Sequence, residues 1–119
     1  TSIESKAADD PLLTRAALEG GIRQYLGAYD PRDPRASALY GPSAFTPPIQ
    51  VHVGTAEILL DDARRLATTE RVDVHVWEGM PHVFSRSVAL FEAARSSHEI
   101  IATFVRTNLA DGAWREAER

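Results

Sequence analysis

The chain has no cysteine and a single methionine, Met80, among its 119 residues. That absence removes disulfides, cysteine-ligated zinc and a thiol nucleophile from consideration, and it fits a reducing cytoplasm. No apolar run approaches the ~20 residues of a membrane-crossing helix, so no span is expected. The opening TSIESKAADD has none of the anatomy of a secretory leader. Basic charge is also scarce: thirteen Lys and Arg against seventeen Asp and Glu give a net charge of −4, with no basic cluster. A phosphate-backbone partner is therefore not expected. The first residue is Thr1 rather than methionine, so a trimmed chain or a piece of something longer is expected.

What is present belongs to an ordinary folded domain. Hydrophobic residues make up 44% and charged residues 25%, enough to build one core at this length. Residues 1–9 read as a polar lead-in. Asp10 before Pro11 suggests an N-cap with proline at the first helical position. Leu12, Leu13, Ala16, Ala17 and Leu18 would form an apolar face, weakened at Gly20-Gly21 and continued by Ile22, Tyr25 and Leu26. Residues 29–48 hold five of the seven prolines and should be a string of turns.

The rest is more regular. IQVHVG (49–54) alternates apolar and polar residues as a strand does, and so does VDVHVW (72–77), whose polar face suggests an edge position. Between them Asp61 or Asp62 is placed to cap a helix carrying Ala63, Leu66 and Ala67. Residues 85–109 should form a long helix with Leu90, Phe91, Ala94, Ile101, Phe104 and Val105 on one side. Strand, short helix and strand make a parallel β-α-β unit, so the expected class is α/β, with residues 1–48 a helix plus proline-rich loop and 49–119 a β-α-β-α segment of one domain.

In parallel sheets, chemistry gathers where loops leave the carboxyl ends of the strands. The first such loop carries Glu57, Asp61 and Asp62; the second, EGMPHVF, carries His82. A carboxylate that orients an imidazole forms two-thirds of a nucleophile-base-acid triad. Other groups are weaker candidates. Ser43, Ser85 and Thr55 lie on no strand-turn-helix elbow. His52 and His75 fall on strand faces without the short spacing of a metal site. His98 reads as a surface residue of the last helix, Met80 and Phe84 could line a pocket beside His82, and Trp114 sits in a charged tail.

Here the motifs carry a resemblance. PPIQVHVGTAEILLDDARRLA followed by VDVHVWEGMPHVF resembles the C-terminal part of α/β-hydrolases of the hormone-sensitive-lipase-like carboxylesterase and lipase family, and DPLLTRAALEGGIRQYLGAYDPRDPRASALYGP resembles the stretch before it. The resemblance implies that His82 is the triad histidine and Glu57 the triad acid, in a position where many members have aspartate, with Asp61 as the alternative. The two are 25 residues apart, a shorter gap than the family leads one to expect. A serine hydrolase of esters or lactones is implied, needing no metal or organic cofactor. Such enzymes take their serine from a Gly-x-Ser-x-Gly elbow and their oxyanion donors from a glycine-rich loop, and neither motif occurs here. The sheet is accordingly expected to be incomplete and the chain alone inactive, with strand 72–77 free to pair with a second copy; the alternative is a non-catalytic module acting in self-association or partner binding.

Overall fold

The structure is a computed structural model that describes residues 1–41, 47–68 and 71–110. Ser43 and Trp114 lie outside the described residues. Six regular elements follow in chain order: α1 (Ser2–Ser5), α2 (Arg15–Leu26), β1 (Ile49–Gly54), α3 (Leu60–Leu66), β2 (Val72–Trp77) and α4 (Glu92–Ala110). Single 3-10 turns occur at Ala38–Tyr40 and Phe84–Arg86.

β1 and β2 fall on the residues that their alternation marked, and they pair in parallel from Ile49 opposite Val72 to Gly54 opposite Trp77. α3 is the crossover between them. Its Leu60 and Ala63 close on Val53, with Val51 and Val74 alongside, to form the buried cluster. On the other face, Gln50, Asp73 and His75 share a cavity of about 450 Å³ with Glu99, Thr103 and Phe104 of α4. The polar face of β2 is thus turned toward a helix.

Several expectations need correcting. The lead-in is not featureless: Thr1 and Ser2 carbonyls accept the first helical bonds of α1, and Ser2 is 5% exposed. α2 starts five residues after Asp10, capped instead by Thr14, whose Oγ1 accepts the Ala17 N–H at 3.2 Å. The helix runs unbroken through Gly20-Gly21, yet it buries no residue, and Tyr25 is 80% exposed. α3 begins after Leu59, which offers no side-chain cap, and Asp61 and Asp62 occupy its first turn. α4 begins at Glu92 rather than at residue 85 because the Ser87 carbonyl turns the chain back, accepting N–H bonds from Leu90 and Phe91. Leu90, expected on the helix face, lies outside the helix and is 78% exposed. Val105 is exposed as well.

The described core is small, with six buried hydrophobic residues. The Cα radius of gyration is 15.9 Å, against about 13.5 Å for a compact chain of this length. A two-stranded parallel sheet with so little core is a partial α/β layer. Among the described residues, no helix is long and apolar enough to cross a membrane.

Candidate active site

The site forms where both strands end. The loop after β1 and the loop after β2 are stitched together by their backbones: Thr55 N–H donates to the Trp77 carbonyl at 2.9 Å and Ala56 N–H to the Met80 carbonyl at 3.1 Å. The Thr55 hydroxyl accepts the Gly79 N–H at 2.8 Å, which gives this residue a structural occupation. Gly54 makes the approach possible. A Cβ there would stand 1.7 Å from the Met80 carbonyl oxygen, so any side chain would push the histidine loop off the strand.

Within this junction Glu57 is 4% exposed. Its Oε1 accepts the Gly54 N–H at 3.0 Å, and its Oε2 lies 2.5 Å from His82 Nδ1. A buried carboxylate is costly unless its oxygens are satisfied, and here each has a donor. The geometry assigns the proton of a neutral His82 to Nδ1, donating to Glu57, and leaves Nε2 as an acceptor. The imidazole is partly open, with 31% of its side chain exposed, and it lines a cavity of about 290 Å³ with Leu12, Val83, Phe84, Arg86 and Phe91. The turn around it uses the left-handed region twice, at Gly79 with φ 69°, where glycine is at ease, and at Val83 with φ 51°. For a β-branched residue the left-handed region costs about 1–2 kcal/mol, which the surrounding turn must hold in place.

The remaining candidates separate cleanly. Asp61 does not meet the histidine through a hydrogen bond; its Oδ2 accepts the Ser2 N–H at 2.7 Å and its Oδ1 faces Arg64 at 3.5 Å. Phe84 is 3% exposed, its ring 5.5 Å from Trp77 while also bordering the cavity. Met80 contributes its carbonyl to the loop junction and does not line that cavity. Ser85 lies in the turn following the histidine loop. His52 and His75 stack at 4.8 Å, and Trp77 Nε1–H donates to His52 Nδ1 at 3.0 Å. His52 Nε2 therefore carries the proton and meets Gln50 Oε1 at 3.0 Å. Burial, then the neighbouring His75, holds His52 below the ordinary imidazole range, against the opposing pull of Asp73. His98 is exposed on α4. Among the described residues no cluster could hold a metal ion.

The sequence reading did not find Gly54 as the residue that admits Met80, nor a second carboxylate at the junction. Asp10 is 9% exposed and accepts backbone N–H bonds from Leu12, Leu13 and Ile58 at 2.8–3.0 Å. Burial works to raise its pKa, but the N–H groups of Leu13, Ile58 and Leu12 hold it below the ordinary carboxylate value. The Asp-Pro pair signals a turn or cap; nothing local signals the bond to Ile58.

A buried carboxylate fixing a half-open histidine at the ends of parallel strands is the arrangement of an α/β-hydrolase. A family model described as the alpha/beta hydrolase fold matches residues 1–86. The chain is 38% identical over 109 residues to an esterase of Acinetobacter venetianus, covering 87% of this chain and 36% of that protein. It is 32% identical over 113 residues to an acetyl-hydrolase of Streptomyces hygroscopicus, covering 91% and 38%. Among solved structures, an esterase from the bacterial hormone-sensitive lipase family superposes with a TM-score of 0.81 at 33% identity, over 90% of this chain and 38% of that one. A hormone-sensitive lipase from a metagenome library gives 0.85 at 28% identity, over 91% and 39%. The chain belongs to the α/β-hydrolase fold family, in its hormone-sensitive-lipase-like carboxylesterase branch. It spans less than two-fifths of the length of these relatives.

Proposed function

We propose that this chain supplies the acid and the base of a serine carboxylic-ester hydrolase, with Glu57 and His82 in those roles. The observation that carries the reading is the 2.5 Å contact between the buried Glu57 Oε2 and His82 Nδ1, which leaves Nε2 free to accept a proton. A serine from a preceding elbow would lose its proton to Nε2 as it attacks the ester carbonyl. Glu57 would stabilise the imidazolium so formed, and the imidazolium would pass its proton to the leaving alcohol. Water, deprotonated by the same nitrogen, would then release the acid from the acyl-enzyme. The substrate class is an ester of a short or medium acyl chain, or a lactone; the relatives' names, esterase and acetyl-hydrolase, support the ester.

Hydrolysis of p-nitrophenyl butyrate by the purified chain tests this division of labour. No turnover above buffer is expected, because the chain contains no Gly-x-Ser-x-Gly segment. Turnover that disappears in His82→Ala would mean that a nucleophile resides in these residues, and the proposed division would fail.

One observation favours a second role. Among the described residues β2 has a strand neighbour on one side only, and Val76 on it is 46% exposed. Such an edge supports self-association through residues 72–77. Light scattering should then show a dimer that dissociates when Val76 is replaced by lysine; a monomer at all concentrations would remove this role.

A further inference from the structure

Glu57 sits in a loop, so its carboxylate is only as well placed as the peptides on either side of it. The leading side is pinned to the histidine loop through Thr55 and Ala56. The trailing side is pinned by the first ten residues of the chain. Ile58, next after Glu57, is 2% exposed; its N–H donates to Asp10 Oδ2 at 3.0 Å and its carbonyl accepts from Ser2 Oγ at 2.7 Å.

We propose that Ser2 and Asp10 are positioning residues that clamp Ile58 from both sides and thereby hold Glu57 against His82; the role rests on the reading of those two residues given above. The clamp is built rather than incidental. Ser2 also accepts the Asp61 N–H at 2.9 Å and donates its own N–H to Asp61 Oδ2 at 2.7 Å, so one hydroxyl serves both the acid loop and the first turn of α3. This supplies from 59 residues away the cap that Leu59 does not give. Asp10 Oδ1 is occupied by Leu12 and Leu13, which commits Oδ2 to Ile58 alone. Without these bonds the acid loop would be fixed at one end only, and a displacement of about 1 Å is enough to spoil a catalytic contact.

The test uses the chain itself, labelled with ¹⁵N-histidine, and reads the neutral tautomer of His82 by long-range ¹H–¹⁵N correlation. Wild-type His82 is expected as the Nδ1–H form, and Glu57→Ala should convert it to the Nε2–H form that imidazole prefers in water. Asp10→Asn keeps an oxygen for Leu12 and Leu13 but presents an amide to Ile58; Ser2→Ala removes only the hydroxyl. Each should shift at least half of His82 to Nε2–H, while Thr14→Val, which loosens the same segment at the α2 cap, should leave the tautomer as in wild type. Retention of the wild-type tautomer in Ser2→Ala and Asp10→Asn overturns the clamp. If Asp10→Asn fails to fold, Ser2→Ala decides alone. A wild-type chain already in the Nε2–H form and indifferent to Glu57→Ala would instead overturn the acid-base pair, and the clamp with it.

Discussion

α2 and α3 show the same kind of apolar periodicity and end in opposite surroundings. α2 is twelve residues long, is capped by its own Thr14, carries an Arg15–Glu19 pair at 2.7 Å, and buries nothing. α3 has seven residues and no cap of its own, yet it places Leu60 and Ala63 in the core. Local signals can make a helix without giving its apolar face anything to cover. Packing can hold a short helix whose local signals are poor.

That contrast can be broken by substitution. Leu60→Ala should cost about 3 kcal/mol in urea denaturation, since a 3%-exposed leucine leaves a cavity behind. Ile22→Ala on α2, at a residue 50% exposed, should change stability by less than about 0.5 kcal/mol. If the two variants lost equally, α2 would be packed in solution and the comparison would fail.

Glycine sharpens it further. Gly54→Ala should cost about 3 kcal/mol, because the new methyl meets the Met80 carbonyl. Gly21→Ala meets nothing within 4 Å and should strengthen α2 by about 0.5–1 kcal/mol in its local helicity, measured by hydrogen exchange.

A smaller effect is pH-dependent. The folded state keeps His52 neutral and lowers its pKa from 6.5, so as pH falls through that value the unfolded chain takes up the proton first. His52 therefore contributes a loss of stability as pH drops below about 6.5, fully developed once pH is under the lowered value. Melting temperatures across this range should fall less steeply in His52→Gln. Val83→Asn should gain about 1 kcal/mol in urea denaturation by relieving the left-handed conformation of a β-branched residue.

The residues that were legible are those whose partners lie close in sequence or repeat with a period. β1 and β2 alternate and fell where expected. Glu57 and His82 stand in exit loops of parallel strands, where topology alone places candidates. Most of the misreadings at the acid loop have a long-range cause: Asp10 reads as a helix cap and Ser2 as part of a polar lead-in, while their bonds to Ile58 and Asp61 cross 48 to 59 residues. Asp61 was read as a cap because nothing local shows that Ser2 supplies the hydroxyl. Leu90 and Phe91 fitted a helical stripe, and only the bonds to the Ser87 carbonyl explain why the helix starts later.

The most direct measurement replaces the matching segment of the Acinetobacter venetianus esterase with this chain and follows p-nitrophenyl butyrate hydrolysis. The account predicts that the chimera turns over, that His82→Ala lowers kcat by about 10⁶-fold, and that Glu57→Gln lowers it by about 10⁴-fold, with partial recovery in Glu57→Asp. A chimera that kept its rate after His82→Ala would contradict it.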